Sequence, residues 1–161
     1  MANKTKKSLA LHVEEKGPIV LAILTFIALI YFSSLITYKF NFGGWKSAGL
    51  YAAIFDWSAI QTGFAFGVYG FVIGKANGFA AKMSNTLAMQ RFKGYIRKAN
   101  IMGIVLTIVS IPLIVVEPKL HAPKTFEYFL VSLWFSLFVW SFLSFLRMAY
   151  NFGQLASVKN K

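Results

Sequence analysis

Cysteine is absent from the 161 residues. That excludes disulfide frameworks, zinc-thiolate sites and cysteine nucleophiles, although it fixes no redox compartment. Acids are nearly absent too, with five Asp and Glu against 17 Lys and Arg, a formal net charge of +12. The sequence shows no nucleophile–base pair, metal-ligand cluster, phosphate loop or intramembrane acid–base pair. A non-enzymatic protein without metal or cofactor is therefore expected. Charge of either sign is scarce: 14% of residues are charged and 57% hydrophobic, and the mean hydropathy is +0.60. A soluble domain runs at about 25% charged and about 45–50% apolar. The excess apolar content lies in four runs of spanning length, which predicts an integral membrane protein of a single domain.

The first span is expected over about 18–38. Pro18 suits a first helical position, where its missing N–H costs nothing, and 21 residues rise roughly 30 Å, the hydrocarbon thickness. The apolar run is too long for a signal-peptide core and carries no small-residue cleavage site, so it reads as retained. Gly43-Gly44 marks a turn in the following loop, and Trp45, Tyr51 and Trp57 form an aromatic belt. The second span is expected over about 57–74, with Ser58 and Gln61 as a capping pair, or with its helix already begun within residues 48–56. The third covers about 101–116, with Asn100 as N-cap and Glu117-Pro118 as the stop. Its sixteen residues are short, so the helix should begin earlier, inside the preceding basic segment. Pro112 should kink it or mark its outer turn, with Ser110 helping to satisfy the freed backbone. The fourth span, about 126–148, is rich in Trp and Phe.

Lys and Arg are distributed unevenly between the two sides. The N-terminal arm holds four, the 75–100 connector six and the C-terminal end three, whereas the two other loops hold only four together. Basic excess marks the cytoplasmic side, so both termini are expected inside. The architecture expected is thus an all-α, integral-membrane four-helix bundle, N-in and C-in. Four spans enclose no wide channel alone, so any pore would need several copies around an axis.

Three features invite functional readings. The first is the stripe Gly63, Gly67, Gly70 and Gly74, which falls within about 60° of helix surface. Small residues at such spacing let a second backbone approach closely, either inside the protomer's own bundle or at a subunit interface or pore wall. Asp56 extends this stripe and reads as a helix N-cap or a pore-mouth group. The second is the basic connector, with Lys82, Arg91, Lys93, Arg97 and Lys98 and no acid. It suits anionic lipid headgroups, or a cytoplasmic partner protein docking on Phe92, Tyr95 and Ile96 among the charges. Direct nucleic-acid binding is the weakest of these readings, because no recognised motif is present. The connector is expected to form two short helical pieces, or cytoplasmic extensions of spans 2 and 3, with a bend near residue 88. The third is a set of polar residues within spans. Gln61 and Thr62 should hydrogen-bond across helices, and Ser132, Ser136, Ser141 and Ser144 share no single face. His12 and His121 fall on opposite sides of the membrane and read as surface residues.

The layout of basic N-terminal arm, two short outer loops, one basic cytoplasmic connector (Lys75 to Lys98) and short tail resembles the KwaA family, the four-span membrane subunits of the bacterial Kiwa antiphage defence system. The segment FDWSAIQTGFAFGVYGFVIGK (Phe55 to Lys75) most invites the comparison. The resemblance covers the whole chain as architecture. It implies a homo-oligomeric sensor of the bacterial inner membrane that works with a cytoplasmic DNA-binding partner. The small pore-forming membrane accessories of some RNA-targeting CRISPR systems are similar in layout. Neither family supplies a residue-level site. A sensor or anchor subunit is the leading expectation, and an oligomeric pore or membrane-depolarising effector the alternative.

Overall fold

The structure, a computed structural model, describes residues 2–74 and 86–157. Among these the chain is all-helical, with five helices and no strand. They are α1 (Ala2–Tyr31), α2 (Ser33–Phe42), α3 (Ser47–Gly74), α4 (Leu87–Val116) and α5 (Phe126–Ser157).

Two helices are long and apolar enough to cross a membrane, over Met89–Val116 of α4 and Phe126–Gln154 of α5, and the α1–α2 pair makes a third if its two parts form one span. At 28 residues, α3 is long enough at roughly 42 Å. Its glycines, Trp57, Gln61 and Tyr69 dilute its hydropathy, and it is not among these candidates.

Several expected boundaries move. The first span is not one straight helix: Lys16–Tyr31 and Ser33–Phe42 are bent by 68°. Pro18 lies inside α1 rather than at its start. The bend falls at Phe32, beside the Ser33-Ser34 pair, a recognised cause of kinks. The Tyr128 hydroxyl donates to the Leu29 carbonyl at 2.7 Å, and the residue four positions on, Ser33, lies beyond the break. Thr37 donates its hydroxyl to the Ser33 carbonyl at 2.9 Å. The Tyr128 side chain thus serves the Leu29 carbonyl at the bend, while the Phe32 and Ile36 N–H groups still reach the Ala28 and Phe32 carbonyls.

α3 begins at Ser47, beside the earlier of the two expected starts, so Ser58 and Gln61 form no capping pair. The Ser58 hydroxyl instead donates back to the Phe55 carbonyl at 2.7 Å. α4 starts inside the basic segment, capped by Thr86, whose hydroxyl accepts from the Met89 N–H. Asn100 is therefore interior and caps nothing. Pro112 sits within α4, which runs on to Val116 and ends with Glu117 in the left-handed region (φ 44°) before Pro118. Ser110 bonds to the Leu106 carbonyl at 2.7 Å, not to Ile108, whose carbonyl the proline leaves without its usual donor. The expected helical pieces over 75–85 lie outside the described residues.

The packing order differs from the chain order. α3 packs against α4, α4 against α5, and α5 against α1, while α3 and α1 have no comparable contact. The α3–α4–α5 group encloses two apolar clusters. One holds Tyr51, Ile54, Leu106, Leu120, Tyr128, Val131 and Trp134. The other holds Ala65, Val68, Met89, Phe92, Ile96, Ala99 and Met148.

Burial departs from that of a water-soluble protein, because hydroxyls and an amide join the apolar core while many large apolar side chains stay exposed. Ser33, Thr37, Ser58, Gln61, Ser110, Ser132, Ser136, Ser141 and Ser144 are all buried. Ile27, Leu35, Ile60, Ile108 and Leu133 stand more than half exposed. Exposed apolar surface on this scale is a membrane or partner-contact signature. In hydrocarbon it is hydroxyls and amides that gain from facing inward.

Candidate functional site

Midway along the α3–α4–α5 group, between the two apolar clusters, lies a polar layer. Gln61 is its centre, fully buried. Its amide N–H donates to the Ser141 hydroxyl at 2.8 Å and to the Ala99 carbonyl at 3.2 Å, joining α3 to both other helices. One turn earlier, the Ser58 and Thr107 hydroxyls meet at 2.9 Å. Thr62 donates to the Ser58 carbonyl at 2.7 Å. The expectation that Gln61 bonds across helices is met; Thr62 bonds within its own helix. Gln61 Oε1, Asn100 Oδ1, Trp57 Nε1 and Ser144 Oγ are buried without a hydrogen-bond partner among the described residues. Such groups cost free energy in a dry interior.

Gly103 makes this layer possible. A Cβ there would collide with the Thr62 hydroxyl and come within 3.4 Å of the Gln61 amide. The close-approach glycine is therefore Gly103 on α4, which stands alone in a Met-Gly-Ile context with no pattern to announce it.

The glycine stripe lies elsewhere. At Gly63, Gly67 and Gly70 an added Cβ would meet nothing within 4 Å, and all three are exposed. They do not pack inside the protomer. The side of Gly74 is outside the description. Asp56 stands on the same face by helical spacing and is exposed too. It lies within α3, nine residues past Ser47, which rules out a helix N-cap. α3 thus turns its small-residue face and its one carboxylate away from its own chain.

The basic segment is only partly described. Lys82 lies outside it. Arg91, Lys93 and Arg97 are exposed and Lys98 is half-buried. At about 100° per residue, Arg91 and Lys98 share one flank of α4, Lys93 and Arg97 the other. Between them Phe92 and Ile96 are buried at 3% and 0% exposure, in the apolar cluster with Met148. They are core residues, so they cannot be the docking aromatics and aliphatics of a partner site. Tyr95 carries the Arg147 guanidinium 4.0 Å above its ring, a contact that ties α4 to α5.

At the opposite end, the loops are fastened together. Asn41 donates to the His121 carbonyl at 2.8 Å, and its Oδ1 meets His121 Nδ1 at 2.8 Å. His121 is exposed, as expected, yet it clips the end of α2 to the loop between α4 and α5. The buried Tyr51 donates to the Pro118 carbonyl at 2.9 Å, anchoring α3 to the same loop.

No group of three or more His, Asp or Glu able to hold a metal ion occurs among the described residues. Comparison with family models, with curated proteins and with solved structures finds no match to this chain. The polar layer, the outward face of α3 and the flanks of α4 are therefore the features on which a function must be argued.

Proposed function

We propose that this chain is a non-enzymatic, multi-pass subunit of the bacterial inner membrane that assembles with copies of itself and holds a cytoplasmic partner protein. The outward face of α3 is the observation that carries the assembly. Asp56 shares that face with Gly63, Gly67 and Gly70, and nothing in the protomer covers it. A carboxylate facing hydrocarbon is costly, while a glycine face lets a neighbouring backbone approach closely. A second copy packed there takes this face out of the lipid. α3 then serves as the fourth span, and the Lys/Arg asymmetry places both termini in the cytoplasm.

Arg91, Lys93, Arg97 and Lys98 sit on the cytoplasmic end of α4 in this orientation. They engage anionic headgroups or an acidic protein surface through two charged flanks. The resemblance to the KwaA family carries the assignment to antiphage defence and the role of sensor or anchor. The second reading is an oligomeric pore with Asp56 at its wall, favoured by the same outward carboxylate.

The deciding experiment is a mild-detergent pulldown of the tagged protein from its native host, with mass determination of the intact complex. A homo-oligomer with a stoichiometric soluble partner supports the sensor or anchor. A homo-oligomer alone shifts the case to the pore and makes membrane depolarisation the next assay. A monomer would overturn both.

A further inference from the structure

Two cavities adjoin at the loop end of the molecule. The larger, about 470 Å³, is walled by apolar side chains from several elements, among them Leu29, Ile36, Val131 and Phe135. The smaller, about 310 Å³, is lined by Asn41, Lys46, Lys119 and His121. Phe40, Trp45, Lys46 and Leu120 line both, so the two are one groove with an apolar chamber and a cationic mouth. No carboxylate lines either part; the acids nearest in sequence, Glu117 and Glu127, are exposed outside it. Each part falls within the about 300–1,000 Å³ typical of small-molecule sites.

The chamber owes its shape to the bend at Phe32. α2 swings away from the line of α1 and roofs the space above α5, while Tyr128 holds the bend from below. A second groove between α1 and α5, lined by Ile19, Phe26, Leu137 and Trp140 among others, has no charged residue. The cationic mouth is thus particular to the first groove.

We infer that the groove binds an anionic phospholipid, its acyl chain in the chamber and its headgroup between Lys46 and Lys119. The occupant follows from the partition of the lining. A zwitterionic lipid offers the two ammonium groups one phosphate and brings a cation of its own among them, whereas an anionic lipid brings no opposing cation, and a free anion leaves the chamber empty. The site lies at the opposite end from the basic connector and is independent of the partner-holding role proposed above.

The test uses the full-length protein reconstituted in phosphatidylcholine bilayers, with tryptophan fluorescence quenched by acyl-brominated lipids. Trp45 reports on the cationic groove and Trp140 on the neutral one. Brominated phosphatidylglycerol should quench the wild type at about tenfold lower mole fraction than brominated phosphatidylcholine, because each surface lysine favours an anionic headgroup several-fold. That difference should vanish in Trp45→Phe and survive in Trp140→Phe. It should also vanish in Lys46→Gln/Lys119→Gln and persist in Lys46→Arg/Lys119→Arg; both lysines are exposed, so these variants fold. Equal quenching by the two lipids, or a headgroup preference that survives the glutamine pair, would overturn the inference. So would a Trp45 that neither lipid reaches, which means a second copy of the chain fills the groove.

Discussion

The Trp134 indole N–H donates to the Ser110 hydroxyl at 2.9 Å, and both residues are buried. The Ser110 hydroxyl in turn donates to the Leu106 carbonyl, so one serine serves α4 and α5 together. Ser110→Ala leaves the indole N–H without an acceptor. A loss of about 1–3 kcal/mol is expected, read as a lower midpoint in thermal unfolding of the detergent-solubilised protein. A midpoint unchanged within error would show that the bond contributes nothing.

The two kinds of glycine should behave oppositely. Gly103→Leu drives a side chain into Thr62 and Gln61 and should destabilise the protomer by about 1–3 kcal/mol. Gly67→Leu meets nothing in its own chain. It should leave the protomer folded and shift its size-exclusion elution to smaller mass. Wild-type elution of Gly67→Leu would remove α3 from the interface.

Tyr128→Phe removes the hydroxyl that holds the Leu29 carbonyl beside the bend. The expected cost is about 1 kcal/mol, with a wider spread of distances between spin labels on α1 and α2. A distribution as narrow as that of the native protein would assign the bend to the Ser33-Ser34 pair alone.

Charge reversal of Arg91, Lys93, Arg97 and Lys98 to Glu should release the cytoplasmic partner in the pulldown without unfolding the chain, because none of the four is buried. Retention of the partner by that variant would move the docking surface elsewhere.

Double-mutant cycles on Gln61→Ala and Ser141→Ala should give a coupling of about 0.6 kcal/mol, the usual scale for a hydrogen bond between membrane helices. Unfolding in bicelles or mixed micelles measures it. Zero coupling would show that the polar layer holds through packing at Gly103 rather than through its hydrogen bonds.

What the sequence revealed and what it concealed divide along the range of the forces involved. Val116 ends α4 and Phe126 starts α5, as expected, because Glu117-Pro118 and Thr125 act on their immediate neighbours. The turn at Gly43-Gly44 is equally local: Gly44 has φ +72°. The break at Phe32 was hidden because its hydroxyl comes from Tyr128, far along the chain. The Ser33-Ser34 pair, and Ser33 with Thr37, four apart and both buried on α2, were its local traces. The Ser58–Gln61 spacing misled for the opposite reason. It matches a cap, yet the helix-permissive run before it extends α3 back to Ser47. Phe92 and Ile96 looked available among the lysines and arginines, but α5 supplies Met148 to cover them. The outward direction of Gly63, Gly67 and Gly70 depends on where α4 lies, which periodicity alone does not fix.

The packing of α1 against α5 has a consequence for biogenesis. The ribosome delivers α1 well before α5, its main neighbour, so α1 must wait in the bilayer while α3 and α4 pair. Only the arrival of α5 gives it a lasting berth and completes the chamber under α2. Assembly of the fold is thereby gated by α5, and a chain interrupted after Val116 would carry an orphaned α1 open to quality-control proteases.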